Sequence, residues 1–465
     1  MNSTLILDNG ASTLKAGFAH LDSPPRLVSN AIVKPKGGGA KLYIGHEIED
    51  CRDFFGLYYR RPFERGILCD WDTEKAIWDT LFSPEGMNID TRATSLLVTE
   101  PYFNLPAVQE TYDQLVFEEY EFISYLRCHG SAAPLLQYGD LFEQGTLPAP
   151  ECFLIVDSGF SFTHIVPVMR GVMVLAGIHR IDVGGKLLTN HLKEVVSFRH
   201  WDLMEHTYVM NEVKEACCYV SNTFGEDLEA CQVNPRRNPI VQEYVLPDFS
   251  TRKRGYIRNG PGKTDPPNPP DDTNVDPDAP KNADDEPVLY MSNERFTVPE
   301  VLFHPIDVGL DQSGLAHTIA NSISSLPEEL QGMFWGNIGL VGGNFNIPGI
   351  VDRLRTELRA LAPPEVEVSL YTSKDPITQT YLSARAFART PAFASACITR
   401  EEYLESGSNA CRRKFGQNLR DGFEGARGEL DVITDVDVDV GREDSTTGAS
   451  RTRGKGSEKR LLGRE

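Results

Sequence analysis

Residues 5–15 read Leu-Ile-Leu-Asp-Asn-Gly-Ala-Ser-Thr-Leu-Lys, and residues 154–164 read Leu-Ile-Val-Asp-Ser-Gly-Phe-Ser-Phe-Thr-His. Each is an apolar strand, then an Asp-x-Gly turn, then a small polar loop leading into a second strand. Asp8 and Asp157 hold equivalent places, as do Gly10 and Gly159. A single Asp-x-Gly is simply a good hairpin turn. Two matching copies in one chain, the first followed by Lys15, point further. They predict two related lobes, each presenting a hairpin with a carboxylate at its turn. Such a unit suits a nucleotide's phosphates, because glycine lets the backbone come close and turn N–H groups carry fixed partial positive charge. The carboxylates of Asp8 and Asp157 can hold a hydrated Mg²⁺ through water, since Mg²⁺ dehydrates reluctantly. Lys15 adds a mobile positive charge.

Outward from the hairpins, strand-like and helical runs alternate. Residues 4–7, 95–98, 153–156, 165–168 and 338–341 are short apolar or β-branched runs. Amphipathic helical stretches lie between them at 73–82, 184–195, 208–223 and 349–362. This alternation predicts an α/β architecture. Residues 255–287 break it with eight prolines and eight acidic residues. So polar a stretch buries too little area to offset its ordering entropy, and a disordered acidic Pro-rich excursion is expected. Strand-like runs at 243–248 and 288–296 flank it, so it reads as an insertion within the second lobe. Residues 425–465, rich in Gly, Ser, Thr and charge, are expected to form a disordered tail.

Composition narrows the function classes. The chain has 465 residues, with 46 Lys+Arg against 67 Asp+Glu and a net charge of −21. That balance argues against a protein that coats DNA or RNA, whose binding is dominated by Lys/Arg contacts to phosphate. The longest apolar stretch, 165–178, is too short to span a bilayer and contains Arg170. The first seven residues lack the basic and apolar regions of a signal peptide. Nine cysteines without a CxxC pair suggest a reduced protein with neither a disulfide framework nor a zinc ribbon.

The two hairpins, LDNGASTLKAGFA (7–19) and LIVDSGFSFTHIVPV (154–168), resemble the two phosphate loops of the actin superfamily. GILCDWDTEKAIWDTLF (66–82), TEPYFN (99–104), RIDVGGKLLTNHL (180–192) and VKEACCYV (213–220) continue the match. So do NERFTVPEVLFHP (293–305), IGLVGGNFNIPGIVDRL (338–354) and ITREEYLESG (398–407), in the same order. The resemblance covers residues 4 to about 415. It implies two RNase H-like lobes, in four subdomains, around an ATP cleft. The first lobe takes residues 1–150 and is rejoined by 370–420, and the second takes 151–369. It assigns Asp8, Gly10, Lys15, Asp157 and Gly159 to the phosphates and Mg²⁺. Lys214, Glu215, Gly342 and Gly343 would flank the adenosine, with Gly184 and Lys186 on the second lobe's cleft wall.

The departures from the pattern bear on activity. Ala11 replaces the serine that meets the terminal phosphate, and Ser12 replaces a glycine. Phe160 stands where the family has an acidic residue that orders the metal and its water. His164, which positions the attacking water, is kept. The catalytic glutamine's place, on a segment expected to be helical at 118–135, falls near Gly130. Positioning is most of what a protein contributes to this chemistry, so ATP binding with very slow or absent hydrolysis is expected. The loop at 30–43 is short and lacks the apolar centre of a filament contact, so no filament formation is expected.

FFGLYYRRPFERGIL (54–68) and VFEEYEFISYLRC (116–128) most resemble the class-six actin-related proteins. That resemblance implies a non-catalytic subunit of an SWR-type chromatin remodeller in the nucleus, also present in the cytoplasm. Such a complex exchanges a core histone for its Z-type variant and so regulates transcription. The implied partners are the complex's helicase-type ATPase, a zinc-HIT-type subunit and histones, with no sequence-specific nucleic acid and no membrane. The alternatives are a cytoskeletal actin-related protein, of the dynactin or branching-complex type, and an active ATPase of the hexokinase or heat-shock branch. The absent glutamine and Phe160 count against the last.

Overall fold

Continuous runs of buried apolar residues build two large mixed sheets, and each predicted hairpin lies inside one of them. A computed structural model describes residues 3–36, 41–51, 54, 56–128, 133–142, 150–200, 202–232, 238–247, 252, 254–258 and 287–415. The expected tail at 425–465, most of the expected insertion (259–286), residue 130 and loop positions 37–40 lie outside the described residues.

The first sheet has six strands in the order Ile398–Thr399, Ser124–Cys128, Thr94–Thr99, Ser3–Asn9, Thr13–Phe18, Arg26–Ser29. Ser3–Asn9 pairs antiparallel with Thr13–Phe18, setting Asp8 opposite Lys15, and parallel with Thr94–Thr99 on its other side. Leu5, Ile6 and Leu7 are fully buried, as expected of a strand covered on both faces. The second sheet repeats the plan. Cys152–Ser158 pairs antiparallel with Thr163–Met169 and parallel with Ile338–Val341, with Leu370–Thr372 beyond. Asp157 sits opposite His164. The repeat seen in sequence is therefore a repeat of topology.

Two three-stranded sheets accompany the large ones. Ile32–Pro35 is flanked by Tyr43–Ile44 and Leu57–Arg60, and Gln242–Val245 by Tyr256–Ile257 and Val288–Met291. The first large sheet's core includes Leu5, Trp78, Tyr112 and Tyr125, and takes in Tyr381, Tyr403 and Phe415 from the end of the described chain. The second sheet's core runs from Cys152 to Ala362. Both belong to one compact unit, Met1–Gly422. Among the described residues no helix is long and apolar enough to cross a membrane.

Two local expectations are corrected. The segment 118–135 is not helical throughout. A π-turn at Leu115–Glu119 ends the preceding helix, and Ser124–Cys128 becomes an inner strand of the first sheet. Its Tyr125, Leu126 and Arg127 are all buried, so tertiary pairing on both edges overrides the helical reading. The helix expected at 208–223 is Thr207–Cys217 and stops because the next N–H groups leave it. Tyr219 donates to Arg295 O and Val220 to Pro348 O.

Candidate functional site

The two hairpin turns face one cavity of about 430 Å³ between the large sheets. Its wall includes Asp8, Gly10, Lys15, Asp157, Gly159, Lys214, Glu215, Gly342 and Gly343. These nine residues come from four separate stretches of sequence. Strand pairing gathers three of the stretches, and helix Thr207–Cys217 brings Lys214 and Glu215.

The first loop is held from behind. The Thr99 hydroxyl accepts from Asn9 N at 3.0 Å and donates to Asp8 Oδ1 at 2.7 Å. Asn9 Nδ2 donates to Glu74 Oε1 and to the Tyr112 hydroxyl, both buried. Asn30 donates through its side chain to Gly10 O and through its N–H to Ser12 O. Lys15 Nζ lies 3.1 Å from Asp8 Oδ2. A Cβ at Gly10 would come within 2.7 Å of Thr13 O, so the turn closes only on glycine.

The second loop is pinned by Asn344, whose Nδ2 donates to Ser158 Oγ at 3.0 Å and Gly159 O at 2.9 Å. Gly342 precedes it at φ +99°, where a Cβ would lie 2.3 Å from Ser158 O. The glycine doublet thus lets the end of strand Ile338–Val341 pass close against the loop. Gly185 and Lys186, at the start of helix Gly185–Arg199, donate their N–H groups to Gly159 O and Phe160 O. That helix terminus holds the loop instead of facing a ligand.

Three expected residues stand elsewhere. Gly184 caps the helix with its backbone against Phe160 and Phe162, and the Lys186 side chain is exposed. Neither lines the cavity. His164 is buried and sealed off by Phe162 and Tyr102, whose ring centroids lie 4.4 and 4.7 Å from its own. Neither of its ring nitrogens has a hydrogen-bond partner. Burial pulls its pKa down to about 3, so the ring is neutral. Lys214 does line the cavity, but its ammonium donates to Gly185 O, Thr189 Oγ1 and Asn211 Oδ1, locking two helices together. Burial lowers its pKa. Asn211 Nδ2 donates in turn to Glu215.

Thr99, Glu74, Asn30 and Asn344 were not among the sequence candidates. Asn344 carried a usable signal, since it directly follows the Gly342-Gly343 turn. A Glu within an amphipathic helix, such as Glu74, reads as a solvated face and carried none.

The residues fit a nucleotide's phosphates. Lys15 stands on the wall, and a Cβ at Gly159 would have no neighbour nearer than 3.8 Å, which leaves an open cradle. They suit a metal ion poorly, since Asp8 and Asp157 are the only carboxylates that the two hairpin turns bring to the wall, and Asp8 has other partners. Both Asp8 oxygens are engaged by Thr99 and Lys15, and Phe160 brings no acceptor to the wall. Among the described residues no group of three or more His, Cys, Asp or Glu is placed to hold one.

Comparison with known proteins agrees with this architecture. The actin family model matches residues 1–416. The actin-like protein ARP6 of Cryptococcus neoformans is 50% identical over 419 residues, covering 89% of this chain and 84% of that protein. Actin-related protein 6 of Drosophila melanogaster is 37% identical over 87% of this chain and 98% of its own length. Actin-related protein 6 of Oryza sativa subsp. japonica is 36% identical over 89% and 99%. With two like hairpins facing one cleft and a family match along the described length, the chain belongs to the actin family, among its class-six actin-related proteins.

Proposed function

We propose that this chain is a non-catalytic, ATP-holding subunit of a nuclear SWR-type chromatin-remodelling complex. There it serves a separate helicase-type ATPase that exchanges a core nucleosomal histone for its Z-type variant, and so regulates transcription. The observation that carries the non-catalytic half is the second loop. Phe160 occupies the wall where an acidic side chain would order water, and His164 is sealed behind Phe162. A cleft that cradles phosphates without positioning a nucleophile retains its ligand and loses most of the rate. What remains is a rigid platform. The complex is inferred from membership of class six, whose subunit neighbours include a zinc-HIT-type protein. The net charge of −21 favours basic histone surfaces over DNA phosphates as direct contacts. A cytoplasmic pool accompanies the nuclear one.

Affinity purification of the tagged chain, with mass spectrometry, should recover the helicase-type ATPase and the zinc-HIT-type subunit. Deletion of the gene should deplete the Z-type histone at promoters. Recovery of dynactin or branching-complex subunits, with histone variant levels unchanged, would establish the cytoskeletal alternative instead. Turnover by the purified chain should fall far below the ordinary enzymatic range of about 1 per second or more.

A further inference from the structure

Each aromatic ring of the second loop carries a guanidinium. Arg180 lies 4.4 Å from the Phe162 ring centroid and is paired with Asp182. Arg61 lies 4.9 Å from the Phe160 centroid and 5.1 Å from that of Tyr59, and no described carboxylate pairs with it. Its Nη1 is buried without a hydrogen-bond partner. Burial holds its pKa below the ordinary arginine range, with the Tyr59 hydroxyl the next influence. A shielded cation without a counter-ion is costly, and an anion nearby relieves the cost.

The position of Arg61 gives it a direction. It follows strand Leu57–Arg60 and precedes the hairpin of Phe63–Glu64 and Ile67–Leu68. Phe63 and Gly66 of that hairpin line the cavity, as does Phe160 on the opposite lobe. Gly66 lies flat against Phe162, since a Cβ there would fall 1.9 Å from the ring. Arg61 is therefore one aromatic ring away from the cavity, on the side of the second phosphate loop. In so shielded a setting its charge acts through the wall with little screening.

We propose that this cleft binds the polyphosphate of its nucleotide without a divalent metal ion, Arg61 supplying, with Lys15, the positive charge that a metal would bring. The proposal rests on the nucleotide reading above and specifies how the ligand's charge is met. Two changes at one point support it. The acidic residue expected in the second loop is absent, and a cation is stacked on the Phe160 that replaces it. On the first loop, Asp8 is already engaged by Lys15 and Thr99.

The test measures binding of ATP and of adenosine to the purified full chain, in excess magnesium and in a chelator. The wild-type chain should bind ATP with affinities that agree within about threefold in the two media. Arg61→Ala should weaken ATP about tenfold in the chelator and leave adenosine unchanged, while Arg61→Lys should recover most of the loss. Phe160→Asp should make ATP binding depend on magnesium. More than tenfold weakening of wild-type ATP binding by the chelator would overturn the proposal and leave the nucleotide reading standing. Equal loss of ATP and adenosine in Arg61→Ala would also overturn it, by reducing Arg61 to a packing role. Failure of the wild-type chain to bind either ligand in either medium would defeat both readings.

Discussion

Glu74 is fully buried behind the first phosphate loop, where its Oε1 accepts from Asn9 Nδ2 at 2.7 Å. Burial pushes its carboxyl up to about 7 from the ordinary 4.5, with the hydrogen bond from Asn9 pulling the other way. A raised carboxyl pKa means that the unfolded chain releases this proton first. Between about 4.5 and 7 the unfolded state therefore holds fewer protons, and stability falls as pH rises through that window. Gln at this position keeps an acceptor for Asn9 and has no proton to lose. Glu74→Gln should be more stable than the wild type above pH 7, by at most about 3 kcal/mol, and show no such advantage below pH 4.5. Denaturant unfolding at the two pH values reads this out, and an equal difference at both would refute it. Residues of this kind show the limit of what a sequence displays. Asp8, Gly10 and Lys15 were legible because turn chemistry is local. Glu74 and Arg61 were not, because their burial is set by partners distant in the chain.

At the scale of elements, the long apolar runs were legible and their ends were less so. Ile338–Val341 has the expected bounds, and Ser3–Asn9 extends the expected 4–7 at both ends. The expected helix at 118–135 failed because Ser124–Cys128 finds strand partners on both edges, which no local pattern announces. One of those partners, Ile398–Thr399, leads directly into helix Arg400–Ser406. There the capping was written in the sequence as Thr-x-x-Glu. The Thr399 hydroxyl accepts from Glu402 N, and Glu402 Oε2 accepts from Thr399 N at 2.8 Å. The helix then docks on the first lobe through the Tyr403 hydroxyl, which donates to Glu118, and through the stack of Tyr403 on Phe117. Thr399→Ala should cost about 1 kcal/mol and free helix Arg400–Ser406 for proteolysis before the rest of the lobe. Limited proteolysis with mass mapping checks the order, and an unchanged cleavage pattern would count against it.

For the whole molecule, the decisive feature is that the small sheet around Ile32–Pro35 is already occupied by its own chain. Phe54, in the core of that sheet, stacks on Tyr208 with ring centroids 4.4 Å apart, and Lys36 pairs with Glu205. Both contacts reach across to helix Thr207–Cys217 and the turn before it. A filament would need the loop between Pro35 and Tyr43 to dock in a second copy instead. The middle of that loop, 36–41, offers glycine, alanine and lysine, with no large apolar side chain to bury. Two copies also bring together like charges of −21 each, a repulsion that salt screens only in part. The chain should therefore stay in the supernatant under salt conditions that polymerise actin. It should do so across a rise in ionic strength, because the missing docking surface is not restored by screening. Sedimentation and light scattering measure this. Pelleting that grows with salt would show that charge was the sole barrier, and helical filaments at any salt would return the molecule to the cytoskeletal class.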